Sequence, residues 1–257
     1  MVKQQPTIKN EKNEKIDTWV EWDEEKEPKA NVVMVHGFGT NKHETAGYFD
    51  DIARALIKND YRVVRFDFTG YGLSEGLQRD ACYTKHIGDL RSVIDYTTTK
   101  YSEDNYIFAQ SMGCFVTAMT SPDGIKKTIM TGIPNADTSI IINRVAERFG
   151  TRPGAKLDFN GVSLLPRSTG KVQEIGAQFW SDIKNLAPVK VVQEFAKKTQ
   201  LLIVSWESDE IIGRETLDQY DSIPELTHIY LPGNHSVTNP EDRQNFIKKM
   251  LEFYNNT

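Results

Sequence analysis

The chain has no run of 18 apolar residues, which excludes a membrane-spanning helix on hydropathy. It has only two cysteines, Cys82 and Cys114, too few for a disulfide framework. Both fall in segments with helical patterning, so buried thiols are expected rather than a bridge. Basic charge is not in excess: 31 Lys and Arg stand against 36 Asp and Glu, a net charge of −5. That balance argues against a nucleic-acid partner, whose phosphates need a basic face. The opening residues, MVKQQPTIKNEKNEK, hold no apolar stretch and do not read as a secretory signal; a cytoplasmic location is the expectation. Nucleotide and metal motifs are missing too. There is no P-loop. Gly70 and Gly72 are followed by Glu75 where a dinucleotide fingerprint needs its third glycine, and His43-Glu44 by Gly47 where a zinc helix needs histidine. No cofactor and no metal are expected, and no repeat or low-complexity tract occurs.

What is present is ordinary globular composition, 39% hydrophobic and 26% charged over 257 residues. With 12 Phe, 10 Tyr and 4 Trp the chain is too aromatic to be disordered. Its length suits one α/β domain spanning 1–257. Strand-length apolar runs recur at Asn31–His36, Tyr61–Phe66, Asn105–Ala109, Lys127–Thr131, Gln200–Trp206 and Leu226–Leu231. They are nearly continuous in Val and Ile, as strands covered on both faces are. Amphipathic helices lie between them, notably Cys82–Lys100 and the last helix opened by Pro240 and Glu241. Alternating strands and helices imply crossovers and a mostly parallel sheet. Thr18–Glu21 reads as an antiparallel edge strand. The alternation breaks at about 134–188, which reads as a small inserted cap. Inside it, Lys156–Phe159 and Val162–Leu165 are expected to form a hairpin on a type I′ turn at Asn160-Gly161, and Gly176–Ile183 a helix.

Two serines sit in G-x-S-x-G-like settings. Gly72-Leu73-Ser74-Glu75-Gly76 matches literally, and Ala109-Gln110-Ser111-Met112-Gly113 nearly so. The motif works through a sharp strand-to-helix turn that exposes the hydroxyl. Ser111 follows the strand NYIFA and precedes the apolar helix MGCFVTAM, whereas Ser74 lies in a glycine-rich loop. Ser111 is therefore the candidate nucleophile and Ser74 a loop serine. A serine hydroxyl needs an adjacent base. Of the five histidines, His235 lies in the loop between the last strand and the last helix, where an imidazole reaches the strand ends. His36 is expected to shape its turn, and His86 and His228 to be structural or surface residues. The base needs an acid, and the strand LLIVSW runs into Glu207-Ser208-Asp209-Glu210. Asp209 is the candidate, with Glu207 the alternative. The order Ser111, Asp209, His235 is the chain order of α/β-hydrolases. The oxyanion would be met by the N–H of Met112 and, from His36-Gly37-Phe38-Gly39, by that of Phe38.

The run of HGFG, DFTGYGLSEG, AQSMGC, SWESDEII and GNHSV resembles the α/β-hydrolase superfamily over roughly residues 16–255. Within it, the chain is similar to feruloyl/cinnamoyl esterase-like and monoglyceride-lipase-like serine hydrolases, on the strength of the 134–188 insertion. The resemblance implies an α/β-hydrolase fold, a Ser-His-Asp triad without a metal, and hydrolysis of small-molecule carboxylic esters. Ala109 replaces the usual first glycine of the elbow, Gln110 a frequent histidine, and Trp206 a common glycine. Phe179 and Trp180 either line an acyl pocket or pack the cap onto the core. Thioesterase, lipase-like and non-catalytic ligand-binding readings stay open, as does a homodimer.

Overall fold

The computed structural model describes residues 2–256, so the two terminal residues of the expected 1–257 domain lie outside it. Among the described residues, nine strands form one sheet. They are β1 (Val2–Gln4), β2 (Thr7–Lys9), β3 (Lys15–Trp22), β4 (Ala30–Val35), β5 (Arg62–Phe66), β6 (Asp104–Gln110), β7 (Ile125–Thr131), β10 (Gln200–Trp206) and β11 (Leu226–Leu231). Two more, β8 (Ser163–Pro166) and β9 (Val172–Ile175), pair with each other alone. The main order is β1-β3-β5-β4-β6-β7-β10-β11, with β2 also paired to β3. From β5 to β11 every pairing is parallel, while β3 runs antiparallel to β5.

The helices are α1 (Tyr48–Lys58), α2 (Tyr83–Lys100), α3 (Met112–Thr120), α4 (Thr138–Gly150), α5 (Ala177–Lys184), α6 (Pro188–Ala196) and α7 (Pro240–Asn255). The central strands alternate between two cores, as a period of two requires. On β4, Val32 and Met34 join the core beneath α1 and α7, and Val33 and Val35 join the one beneath α2, α3 and α6. On β6, Tyr106 and Phe108 face the first and Ile107 and Ala109 the second. Burial on both faces explains the unbroken apolar runs, and each such side chain contributes about 1.5–3 kcal/mol.

Four expectations need correction. Thr18–Glu21 lies within the longer β3, which is not an edge, because β1 pairs outside it. The N-terminal strands were invisible to periodicity because three residues are too few to show alternation. Cys82 caps α2 from an extended backbone rather than lying inside the helix; both thiols are free and buried. The cap hairpin is β8 with β9, and Lys156 meets Leu164 in a single bridge. Neither Asn160 nor Gly161 takes the positive φ that a type I′ turn demands. Instead, Asp158 accepts N–H bonds from Asn160 and Gly161, which folds that stretch into a local turn. The turn that closes the real hairpin contains Gly170 at φ 80°.

The loops that carry Ser111, Asp209 and His235 follow the carboxyl ends of β6, β10 and β11. The chain runs from β4 outward to β5 and then returns to β6 on the other side of β4. That reversal opens a crevice between β4 and β6, the place where open α/β sheets bind ligands. Residues 132–199, between the adjacent strands β7 and β10, carry α4 to α6 and β8 to β9; α6 packs beside α3 on one face of the sheet, whereas α4, α5 and the segment after β8 reach the cavity at the strand ends.

Candidate active site

Ser111 lies between β6 and α3 with φ 54° and ψ −122°. A non-glycine residue there is strained by roughly 1–3 kcal/mol, and the surrounding structure must hold it. It does so on several sides. The Ser111 N–H donates to the Thr131 carbonyl at 2.9 Å. A Cβ added to Gly113 would lie 2.4 Å from the Val35 carbonyl oxygen, so only glycine lets α3 approach β4 this closely. A Cβ at Gly37 would stand 3.1 Å from Ser111 Cβ, which places the HGFG loop against the serine.

His235 and Asp209 come together. His235 Nδ1 and Asp209 Oδ2 are 2.8 Å apart. The other carboxylate oxygen, Oδ1, accepts the N–H groups of Ile211 at 3.0 Å and Ile212 at 2.8 Å. Asp209 is thereby fixed in the turn after β10, while Glu207 is exposed two residues earlier. Burial lowers the His235 pKa, but the charge and hydrogen bond of Asp209 outweigh it, and the net direction is upward from 6.5. The imidazole rests over Gly132, where φ is 55° and an added Cβ would touch the ring at 3.0 Å. Gln110, the residue before the serine, donates from Nε2 to the His235 carbonyl at 2.9 Å and accepts from Thr131 Oγ1. Arg243 of α7 clamps the same loop through the carbonyls of Ser236 and Val237. Trp206 is buried beneath it, against Gly233 and Phe246.

Ser111, His235, Phe38, Met112 and Phe179 line one cavity of about 250 Å³. Among the described residues, the amides of Phe38 and Met112 donate to no partner, and no hydrogen bond joins Ser111 Oγ to His235. Phe179 stacks on Tyr83 at 5.5 Å and meets Phe38 at 5.1 Å. Trp180 is not among the lining residues; its Nε1 donates to Ser163 Oγ at 3.1 Å and its ring packs on Phe159. The two expected pocket aromatics thus divide, one lining the cavity and one packing the inserted segment.

The literal G-x-S-x-G is a folded turn. Ser74 Oγ donates to the Asp67 carbonyl and accepts from the Asp17 N–H. A Cβ at Gly72 would collide with the Asp67 carboxylate at 2.0 Å. The remaining histidines are engaged or enclosed elsewhere. His36 accepts the Phe68 N–H at Nε2, His43 pairs with Asp50, and His228 lies between Asp221 and Ser205. His86 is fully buried against Phe68.

Sequence reasoning missed Glu44. Its carboxylate accepts the N–H of Gly37 and the hydroxyl of Thr40, bracing the HGFG loop from within the cavity lining. Burial raises its pKa more than those hydrogen bonds lower it. No spacing rule links Glu44 to that loop; the turn alone brings them together.

Gly132→Ala gives a direct check on the imidazole seat. The new methyl meets the ring at 3.0 Å at a backbone φ of 55°, so any turnover that depends on the His235 imidazole is expected to fall 10-fold or more at saturating substrate. Strain should cost about 1–3 kcal/mol of stability. Turnover and melting temperature within error of the parent would show that Gly132 does not seat His235.

Among the described residues, no helix is long and apolar enough to cross a membrane, and no group of three or more His, Cys, Asp or Glu is placed to hold a metal ion. Residues 26–132 match the family model described as "Serine aminopeptidase, S33". A probable lysophospholipase, BODYGUARD 4 of Arabidopsis thaliana, is 31% identical over 132 residues, which is 48% of this chain and 30% of that protein. Solved structures are similar over nearly the whole chain. Est1E from Butyrivibrio proteoclasticus with bound ferulic acid aligns with a TM-score of 0.75 at 19% identity, covering 98% of this chain and 100% of that one. The esterase domain of a Rhodothermus marinus protein aligns with a TM-score of 0.72 at 21% identity, covering 97% and 96%.

Proposed function

We propose that the chain, which shares its fold with solved esterases, is a serine hydrolase of the α/β-hydrolase superfamily that cleaves carboxylic esters through an acyl-enzyme on Ser111. The observation that carries this reading is the strained serine at φ 54° sharing one cavity with an imidazole tied to a buried carboxylate at 2.8 Å. In this reading His235 Nε2 takes the Ser111 proton as Oγ attacks the ester carbonyl. The Phe38 and Met112 amides receive the oxyanion, and Glu44 holds the loop that carries the first of them. The imidazolium returns its proton to the leaving alkoxide. Water, deprotonated by the same nitrogen, then releases the acid from Ser111.

Residues 134–188 act as a cap over a single domain of 1–257. The rings of Phe38, Tyr83 and Phe179 favour an aryl acyl group, the feruloyl or cinnamoyl kind within carboxylesterases. The two free, buried thiols suit the cytoplasm.

A fluorophosphonate probe tests the nucleophile: labelling confined to Ser111 supports the reading, and a folded but unlabelled chain overturns it. The pH profile tests the base. His235 must be neutral to accept a proton, and Asp209 holds its pKa above 6.5. On short p-nitrophenyl esters, kcat/KM should therefore fall with decreasing pH along a limb centred above 6.5. A limb centred below that value would deny the Asp209 coupling.

A further inference from the structure

Three arginines, Arg144, Arg148 and Arg167, line the cavity, and ester hydrolysis makes no use of them. Arg144, Arg148 and Arg152 follow one another at four-residue spacing along and just beyond α4, on one stripe of that helix. Arg144 is committed: its guanidinium pairs with Glu215 at 2.6 Å. Among the described residues, no carboxylate forms an ion pair with Arg148, Arg152 or Arg167. Their guanidinium carbons surround the buried Phe149 ring at 5.8, 4.9 and 4.8 Å. Like charges crowded around one ring repel each other, and a chain gathers them at a cost unless something negative joins them.

Arg167 stands nearest the chemistry. It follows β8, is half-buried and lines the cavity together with Arg148. An added Cβ on Gly39 would lie 2.9 Å from its guanidinium carbon, and the guanidinium sits 5.9 Å from the Phe38 ring. It therefore rests on the loop that presents the Phe38 amide. Among the described residues, its side chain donates a hydrogen bond to Gln173 Oε1 alone, at 3.1 Å, which satisfies a donor without neutralising the charge. Burial lowers its pKa, as it does for a cation desolvated without a counter-ion. Glu44 and Glu210 act on these arginines only from beyond ion-pair contact: Glu44 is bound to Gly37 and Thr40, Glu210 is exposed, and burial still sets the net direction for Arg148 and Arg167.

We infer that the natural substrate is an ester bearing a second, anionic group, a carboxylate or a phosphate, which Arg148 and Arg167 hold under the inserted segment while Ser111 meets the ester carbonyl. A guanidinium offers several fixed donors to two oxygens at once, so a pair of them selects a planar carboxylate or a phosphate over a hydroxyl. The inference rests on the serine-hydrolase reading for its second half and on the arginine geometry alone for its first.

The test uses matched pairs. For the carboxylate, 4-nitrophenyl hydrogen glutarate is compared with 4-nitrophenyl valerate, which carries methyl where the first carries carboxylate. For the phosphate, 1-butyrylglycerol 3-phosphate is compared with 1-butyrylglycerol. In at least one pair the charged member should have the higher kcat/KM by about tenfold or more, and the ratio should fall toward unity in the Arg148→Gln/Arg167→Gln double variant. The pair that responds identifies the anion. Neutral preference in both pairs, or ratios the substitutions leave in place, would overturn the inference. Should the double variant fail to fold, Arg148→Gln alone, at an exposed helical position, reads the same ratio with a smaller expected change. Calorimetric titration of the full chain with glutarate and with glycerol 3-phosphate needs no turnover. Saturable binding weakened in the double variant supports the anion site, and no saturable binding of either overturns it. Binding without hydrolysis of any ester would leave the anion site standing and defeat the hydrolytic reading.

Discussion

Ser111→Ala is expected to reduce ester kcat by about 10⁴- to 10⁶-fold, with KM and the fold little changed. The size follows from what the variant retains. The Phe38 and Met112 amides and the His235–Asp209 pair stay in place, so under the proposed mechanism only the nucleophile is lost, and what remains is catalysis by positioning and charge. A loss under tenfold would assign the chemistry elsewhere. The backbone supplies a second readout. At φ 54° and ψ −122° alanine is as strained as serine, so Ser111→Ala should not relieve the elbow. Ser111→Gly should. Its relief of 1–3 kcal/mol is offset by the extra freedom that glycine gives the unfolded chain, leaving a net gain of about 1 kcal/mol over Ser111→Ala in denaturant unfolding. Equal stability of the two variants would mean that the turn is not held against its own preference.

Much of this arrangement is written in short-range signals. β4, β6 and β10 announce themselves as unbroken apolar runs because both faces are covered. Ser111 stands out because a buried strand and an apolar helix meet there with no residues to spare. Position relative to the strands singles out Asp209, since a residue beyond the strand end is free to turn toward the next loop, and it is Asp209 that meets His235. The pairing of β8 was not legible in the same way. Asn-Gly carries a local preference for a hairpin, but the Asp158 side chain and the Leu165–Gln173 register decided otherwise, and neither shows in a two-residue signal. Trp206 shows the same limit. It stands where glycine is common, yet its ring fills the space beneath Gly233 and so supports the histidine loop. Glu44 carries no such signal, because its partner Gly37 is joined to it only by the fold of the loop. The arginine stripe did have a signature, four-residue spacing on a helix, but a charged stripe usually faces water. Only the placement of Arg167 beside the same Phe149 ring and in the cavity lining sets this stripe apart.

Asp209→Asn should cost about 10⁴-fold in kcat while leaving the overall fold intact. The structure says why an amide fails where a carboxylate succeeds. Asp209 Oδ1 accepts two backbone N–H groups, from Ile211 and Ile212, and Oδ2 faces His235 Nδ1. Asparagine has one acceptor oxygen, and the two N–H donors claim it. Its NH₂ group is then aimed at Nδ1, which must accept rather than donate. The proton moves to Nε2, the nitrogen that has to be bare to take the proton of Ser111. The imidazolium also loses the charge that stabilises it. With Asp209 neutral, burial is the dominant influence left on His235, and its pKa should drop from above 6.5 toward lower values. Residual activity should accordingly show its acid limb at lower pH than the parent, even as the plateau falls. A variant with the plateau lowered but the limb unmoved would place another group in charge of the His235 titration. One that keeps its plateau would remove Asp209 from the machinery.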